Sequence, residues 1–219
     1  MVVLNTGEKH DPDAERHNYG MSANVTWQEA TVDRARRWEA LGQQGATVWF
    51  TGLPGAGKTT VATAVEARLI DEGRSAYRLD GDNLRHGLCS DLGFSKDDRE
   101  INVGRVGEMA KLFADSGTVA LVALVSPYEA CRERVRETHE REGLPYIEVY
   151  VNTPAQECAR RDPKGLYARA QSGQLSGMTG VDDPYESPRA PEVELTPELD
   201  VDGAVELVLG ALDERLARD

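Results

Sequence analysis

The sequence predicts an α/β fold, a three-layer sandwich around a mainly parallel β-sheet. Four compact runs rich in apolar and β-branched residues read ATVWFTG, SAYRLDG, TVALVALVS and YIEVYVN. The segments between these runs are long enough for helices, and such alternation is typical of βαβ units with parallel strands. A chain of 219 residues suits one domain of this kind with a sizeable core. We therefore expect a single domain over residues 24–219.

The sequence also predicts an N-terminal arm and a series of helices around the sheet. Residues 1–23 are polar and lack helical or strand periodicity, which indicates a disordered or loosely docked N-terminal arm. A short helix is expected within residues 28–42, because apolar side chains recur there at helical spacing before a glycine. Later helices are predicted at about 58–72, 98–116 and 127–141, after Pro154, after Pro163, and from about 202 to 217. The run ERVRETHERE at 133–142 indicates a charged, solvent-facing helix surface and is assigned no function.

One segment, about 162–191, differs in composition. It is rich in glycine, carries basic residues, and holds four of the ten prolines. Such a composition predicts a mobile lid that closes over a nucleotide site, with an inert surface loop as the alternative.

Composition excludes several classes of protein. The formal charge of −13, from 25 basic and 38 acidic side chains, repels nucleic acid and anionic membranes. No apolar run approaches the ~20 residues of a membrane helix, and the N-terminus lacks a signal-peptide pattern. Cys89, Cys131 and Cys158 are too widely spaced to suggest a disulfide framework or zinc site. We expect a soluble cytoplasmic protein without nucleic-acid or membrane partners.

The strongest motif is GLPGAGKTT at residues 52–60, which matches the P-loop pattern G-x-x-x-x-G-K-[ST]. It follows a predicted strand and opens a predicted helix, as the motif requires. Its glycines let backbone N–H groups surround a phosphate; Lys58 reaches the β- and γ-phosphates, and Thr59 binds Mg²⁺. The predicted nucleotide-binding residues are Gly52, Leu53, Pro54, Gly55, Ala56, Gly57, Lys58, Thr59 and Thr60.

Two carboxylates follow the second predicted strand in LDGDN. Because parallel strands end at one edge of the sheet, Asp80 and Asp82 are expected beside the γ-phosphate. One could orient Mg²⁺ while the other accepts a proton from an attacking hydroxyl; an Asx-rich turn is the alternative. The sequence lacks the N-K-x-D guanine signature, which leaves a kinase or an ATPase.

Groups that could bind an anionic acceptor come next along the chain. Arg85, Arg99 and Arg105 carry planar guanidinium groups suited to phosphate or sulfate oxygens. Phe94 follows a glycine in a polar loop, where its ring could stack on a base or anchor the core.

Together, GLPGAGKTT, LDGDNLRHGL, DLGFS, GEMAKLFADSG, SPY, RDPKGLYARAQSG and GMTGVDDPYE resemble the adenylylsulfate kinase family over about residues 24–197. The resemblance implies a P-loop NTPase fold and a kinase domain over 24–219. It also implies transfer of the ATP γ-phosphoryl group to the 3′-hydroxyl of adenosine 5′-phosphosulfate, giving 3′-phosphoadenylyl sulfate. Mg²⁺ and a homodimer are implied as well.

The resemblance also suggests roles by position. Asp82 would lie near the 3′-hydroxyl, Asp80 would hold the acceptor or metal, and Lys58 would act on the phosphates. Ser126 matches the position that the family labels as a phosphoserine, and it is carried over as a catalytic and acceptor-binding residue. Arg161 would lie beside the ATP adenine. The predicted acceptor-binding residues are Asp80, Asp82, Arg85, Phe94, Arg99, Asn102, Ser126, Lys164, Met178 and Thr179.

Four positions depart from the family pattern. Ile101 and Gly104 replace a common glutamate and arginine, Met178 replaces a lid phenylalanine, and Cys89 replaces an asparagine. Because these changes cluster on the acceptor side, two alternatives stay open: a kinase of this fold with another hydroxyl acceptor, and a non-catalytic nucleotide-binding subunit. The presence of both acceptor-side carboxylates counts against the second.

Overall fold

A computed structural model of the chain describes residue 26, residue 28 and residues 30–218. The predicted arm, residues 1–23, lies outside the described residues. Contacts within the chain group the described residues from Asp33 onward into one unit.

The predicted α/β architecture is confirmed. The strands are β1 (Ala46–Thr51), β2 (Ala76–Asp80), β3 (Val119–Ala123), β4 (Tyr146–Val151) and β5 (Val193–Leu195). The helices are α1 (Arg34–Leu41), α2 (Lys58–Asp71), α3 (Gly81–Leu84), α4 (Lys96–Ser116), α5 (Glu129–Arg141), α6 (Ala155–Arg161), α7 (Leu166–Gln171) and α8 (Val201–Leu216). The strands pair in parallel in the order β2-β3-β1-β4-β5. The carboxyl ends of β1, β2 and β3 therefore meet at one edge.

The structure corrects three details. The first helix begins at Arg34, because the Asp33 carboxylate caps it by accepting from the Arg36 N–H at 2.9 Å. Strand β5 was not predicted, since its three residues, Val-Glu-Leu, include only two apolar side chains and form no apolar run. Helix α3 was not predicted either; it has only four residues and depends on a cap from Asp80.

The core has two layers because side chains alternate across the sheet. Val48 and Phe50 of β1 face one cluster, which α2 and α8 complete. Trp49 faces the other, which α4 and α5 complete. Helices α4 and α5 approach closely at Gly107, where a Cβ atom would lie 2.7 Å from a methyl group of Val135. Any larger side chain at Gly107 would separate these helices, so this glycine is required by packing.

The charged run 133–142 is not wholly solvent-facing as predicted. His139 is completely buried, and the Arg136 side chain is only 16% exposed. Periodicity in the sequence missed this because Arg136 is neutralised by Glu148 and Glu192, which lie far along the chain.

The structure also describes the three cysteines and the apolarity of the helices. All three cysteines are buried and free. Within residues 30–218, no helix combines the length and apolarity needed to cross a bilayer.

His139 makes stability depend on pH. Its Nδ1 lies 2.8 Å from the Val135 carbonyl oxygen and its Nε2 lies 2.9 Å from Thr47 Oγ1, so the neutral ring satisfies both partners. Burial lowers the pKa of His139. The unfolded state therefore binds the proton more readily, and stability falls as pH drops below about 6.5, the ordinary histidine value.

We expect His139→Gln to reduce the decline in the free energy of unfolding between pH 7 and pH 5, measured by urea titration. The exposed His86 is the matched control, and His86→Gln should keep the wild-type decline. An equal decline in wild type and His139→Gln would contradict the assignment.

Candidate active site

The P-loop joins β1 to α2, as the motif predicts. Gly52, Gly55 and Gly57 have φ angles of 149°, 78° and 111°, which side chains disfavour. A Cβ atom on Gly52 would also lie 2.6 Å from the Val151 carbonyl oxygen. These glycines thus allow the loop to turn tightly over the end of the sheet, with the N-terminus of α2 behind it.

Lys58 is buried at the start of α2, with 8% exposure. Its Nζ donates to the carbonyl oxygens of Gly52 at 2.9 Å and Leu53 at 2.8 Å. Burial lowers the pKa of Lys58 to about 8. The ammonium is held inside the loop, where an anionic phosphate would restore the charge balance.

Thr59 and Asp80 bring the P-loop and the end of β2 together. Thr59 Oγ1 donates to Asp80 Oδ2 at 2.8 Å, and Arg78 donates to the same oxygen at 3.1 Å. The other oxygen of Asp80 accepts from the backbone N–H of Asp82 at 3.0 Å and so caps α3. A hydroxyl and an oriented carboxylate fit the oxygen ligands that Mg²⁺ prefers, with phosphate and water completing its shell.

Asp82 lies two residues beyond Asp80, in the first turn of α3, and is exposed. Its carboxylate pairs with the ammonium of Lys164, which belongs to the predicted lid. Both partners are more than half exposed, with 63% and 58% side-chain exposure, so this pair adds little stability. The pair matters for geometry, because it places the Lys164 ammonium of the predicted lid against the carboxylate that is predicted to act on the acceptor.

The predicted lid is connected to the P-loop. Tyr167 of α7 is buried and its hydroxyl donates to the Pro54 carbonyl oxygen at 3.0 Å. Asp162 has a φ of 26°, and its carboxylate accepts from the N–H groups of Tyr167 and Ala168. Arg161 is close to the loop as well, because its guanidinium lies 3.5 Å from the Ala56 carbonyl oxygen. The mobility of the lid stays a prediction.

An aromatic ring flanked by cations lies at the predicted acceptor side. Phe94 is 63% exposed. The guanidinium carbons of Arg85 and Arg99 lie 4.3 and 5.7 Å from its ring centroid. Such an arrangement can stack on a planar base while holding positive charge beside it.

Arg99 links this ring to the end of the lid. It donates to the Phe94 carbonyl oxygen at 2.9 Å and to the Gly177 carbonyl oxygen at 2.6 Å, and it lies 3.5 Å from the Asp183 carboxylate. Within the described residues, Asn102 Oδ1 and Thr179 Oγ1 are buried without a hydrogen-bond partner. Buried polar atoms without partners cost stability, and a polar ligand would satisfy them.

Ser126 lies at the same edge of the sheet but is enclosed. It is 3% exposed and has a φ of 40°. Its hydroxyl donates to Thr51 Oγ1 at 3.0 Å and accepts from Trp49 Nε1 at 3.1 Å. In this conformation the hydroxyl is occupied by the protein itself, so its catalytic role stays a prediction.

Sequence reasoning missed two polar pairs that support the end of the sheet beside Ser126, Tyr185 with Thr51 and Tyr128 with Asp183. Tyr185 lies 2.9 Å from Thr51 Oγ1, and Tyr128 donates to Asp183 at 3.3 Å. Tyr128 and Tyr185 stood within the motifs SPY and DDPYE, where an aromatic hydroxyl beside proline was the available signal.

Comparison with known proteins decides the family. A family model described as Adenylylsulphate kinase matches residues 44–196, which include the P-loop, both carboxylates and the acceptor-side residues. The chain belongs to the adenylylsulphate kinase family.

Individual members of the family are similar over most of the chain. The adenylyl-sulfate kinase of Enterobacter sp. (strain 638) is 52% identical over 174 residues, covering 78% of this chain and 85% of the relative. The APS kinase of Mycobacterium tuberculosis, solved in complex with AMPPNP and APS, has a TM-score of 0.76 and 48% identity over 78% of this chain and 99% of that one. A hexameric APS kinase from Thiobacillus denitrificans has a TM-score of 0.59 and 34% identity, covering 80% of this chain and 30% of that one.

The departures from the adenylylsulphate kinase pattern fall in different environments. Met178 is 5% exposed and packs in the cluster beneath the P-loop, and Cys89 is fully buried between α3 and α4. Gly104 is half-buried on α4. Arg105, a candidate anion ligand by sequence, instead donates to both oxygens of Asp91, at 2.6 and 2.9 Å. Met178 and Cys89 thus contribute to packing.

Proposed function

We propose that this chain transfers the γ-phosphoryl group of ATP to the 3′-hydroxyl of adenosine 5′-phosphosulfate, giving 3′-phosphoadenylyl sulfate and ADP. The observation that carries the proposal is the 2.8 Å contact between Thr59 of the P-loop and Asp80. It joins a phosphate-binding loop to a strand end that also carries Asp82, in a chain of the adenylylsulphate kinase family.

The P-loop supplies phosphate binding and charge. Backbone N–H groups of residues 52–60 surround the phosphates, and Lys58 neutralises charge that develops on the transferred group. The Lys58 ammonium is already held inside the loop by the Gly52 and Leu53 carbonyl oxygens, so it exchanges these bonds for phosphate oxygens without leaving the loop. Arg161 is proposed to lie beside the adenine of ATP.

Asp82 is proposed as the general base. As the 3′-oxygen bonds to the γ-phosphorus and the bond from phosphorus to the β–γ bridging oxygen breaks, the Asp82 carboxylate accepts the hydroxyl proton. ADP leaves with the electron pair of the broken bond. Lys164, paired with Asp82, would move toward the phosphates as the base becomes neutral.

Thr59 and Asp80 are the residues that would hold Mg²⁺. A bound Mg²⁺ neutralises charge on the phosphates and orients them for in-line attack. Arg78 opposes this use of Asp80 in part, because it shares the same oxygen.

The acceptor would be held by charge and stacking. Phe94 would stack on its adenine, and Arg85 and Arg99 would contact the phosphosulfate. Asn102 and Thr179 offer buried polar atoms that lack partners within the described residues.

A homodimer and a cytoplasmic location also remain proposals. Light scattering of the purified protein tests the homodimer, and a hexamer would contradict it.

A coupled assay of ADP production tests the proposed function. The acceptors are adenosine 5′-phosphosulfate, AMP, adenosine and a sugar panel, with Mg²⁺ present or chelated. We expect Mg²⁺-dependent turnover with adenosine 5′-phosphosulfate and a 3′-phosphorylated product by mass spectrometry. Turnover with only another hydroxyl would support the alternative acceptor, and nucleotide binding without any turnover would support the non-catalytic alternative.

A further inference from the structure

Arg132 of α5 is a buried cation at the junction of two loops. Its side chain is 1% exposed. Its Nε donates to Glu148 at 2.8 Å, and its two terminal nitrogens donate to the carbonyl oxygens of Ser126 and Glu186, each at 2.7 Å. One planar guanidinium group thus holds three acceptors from different parts of the chain.

The first loop needs such support. Ser126 lies three residues beyond the end of β3, outside the sheet ladder, and has a φ of 40°. A left-handed conformation at a residue with a side chain persists only where its surroundings determine it strongly. The hydrogen bond from Arg132 to the Ser126 carbonyl oxygen is one such determinant.

The second loop carries the far end of the lid back to the sheet. The Glu186 N–H donates to the Pro127 carbonyl oxygen at 2.8 Å, so the two loops also bind each other. Tyr185 binds Thr51, and Asp183 lies against Arg99. Arg132 therefore acts on the acceptor side through backbone carbonyls.

The backbone at the start of the P-loop is positioned by strand pairing, although the Thr51 side chain contacts both loops. Strand β1 is paired on both sides, with Phe50 opposite Ala123 and Thr51 opposite Tyr150. These ladders fix the start of the P-loop whether or not the Ser126 loop is held. A change at Arg132 should thus separate acceptor binding from ATP binding.

We infer that Arg132 is a positioning residue for the acceptor site, acting through Ser126 and the segment that ends at Glu186. The inference rests on the proposed function. Lysine at this position would keep the charge beside Glu148 but has a single nitrogen, which cannot serve three acceptors in these directions.

Steady-state kinetics of Arg132→Lys test the inference. We expect KM for adenosine 5′-phosphosulfate to rise roughly tenfold, with KM for ATP within about twofold of wild type, because misplaced contacts weaken only the ligand that they hold. Arg136 is the matched control: it lies one turn further along α5 and binds Glu148 and Glu192. Arg136→Lys should leave both constants within about twofold.

A double variant, Arg132→Met with Glu148→Leu, keeps the test valid if the lysine variant does not fold. Replacing a buried ion pair by apolar groups leaves no unpaired charge, because Arg136, which also lies near Glu148, keeps its pair with Glu192. The replacement still removes both bonds to the carbonyls. The same rise in acceptor KM is expected. Parallel rises in both KM values, no rise in the acceptor KM, or an equal rise in Arg136→Lys would overturn the inference. A wild-type enzyme that does not turn over adenosine 5′-phosphosulfate would instead contradict the proposed function, on which the inference depends.

Discussion

Asp82→Asn should lower kcat by about 10²- to 10⁴-fold, the usual contribution of a general base, while ATP affinity stays near wild type. The amide has nearly the shape of the carboxylate but cannot accept the hydroxyl proton. Asp82 pairs with Lys164 and makes no bond to the P-loop among the described contacts, so the nucleotide site is preserved. Steady-state kinetics and calorimetric titration with a non-hydrolysable ATP analogue measure the two effects.

Asp71→Asn is a matched control for this prediction. Asp71 is exposed at the far end of α2, thirteen residues and so roughly 20 Å from Lys58. Its variant should retain wild-type kcat. A near-normal rate for Asp82→Asn would remove Asp82 from the role of base, whereas loss of ATP binding together with rate would assign it to the nucleotide site.

Lys58→Met should reduce kcat/KM for ATP by about 10²- to 10³-fold, the effect of removing one preorganised donor from a charge-stabilising site. It should also abolish the rise in melting temperature that a nucleotide analogue causes in wild type. Lys111→Met is the control, because Lys111 pairs with Glu108 on α4 and should leave both measurements unchanged.

The melting temperature of nucleotide-free Lys58→Met should stay close to wild type, because two effects oppose. Lowering the pKa of Lys58 from 10.5 to about 8 corresponds to roughly 3 kcal/mol of destabilisation by the buried charge. The penalty applies below about pH 8 and is relieved as pH rises toward 10.5, because the unfolded state then binds more protons. Against this, the two bonds to Gly52 and Leu53 contribute about 1.5 kcal/mol each, the lower end of the range for bonds to charged groups, because carbonyl oxygens of a loop open to solvent can bind water instead. A collapse of the nucleotide-free fold would show that Lys58 is mainly structural.

The nucleotide half of the site was predictable because its information is local. The P-loop occupies consecutive residues whose glycines specify the backbone, and the strand before it and helix after it follow from their own periodicity. Asp80 and Asp82 were also predictable, since parallel strands must end at the same edge as the P-loop. The sequence could not predict that Asp80 caps α3, because that four-residue helix has no periodicity of its own.

The proposed acceptor half of the site was only partly predictable. Arg85, Arg99 and Phe94 stand near one another in the sequence, and the fold brings the two guanidinium groups against the ring. Arg105 has the same chemistry and similar spacing, yet it binds Asp91. Residue type and spacing could not separate these arginines, because the direction of each side chain depends on how α4 packs.

The sequence by itself determined the fold class, the P-loop, the paired carboxylates and the resemblance to adenylylsulphate kinases, all of which are written in short contiguous motifs. Only the tertiary structure decided that Met178 and Cys89 pack in the core, that the Ser126 hydroxyl is enclosed, and that Arg132 supports two loops. These outcomes depend on partners distant in the chain: the Ser126 hydroxyl donates to Thr51, which lies 75 residues earlier. Packing of whole elements sets such contacts, and no local pattern encodes them.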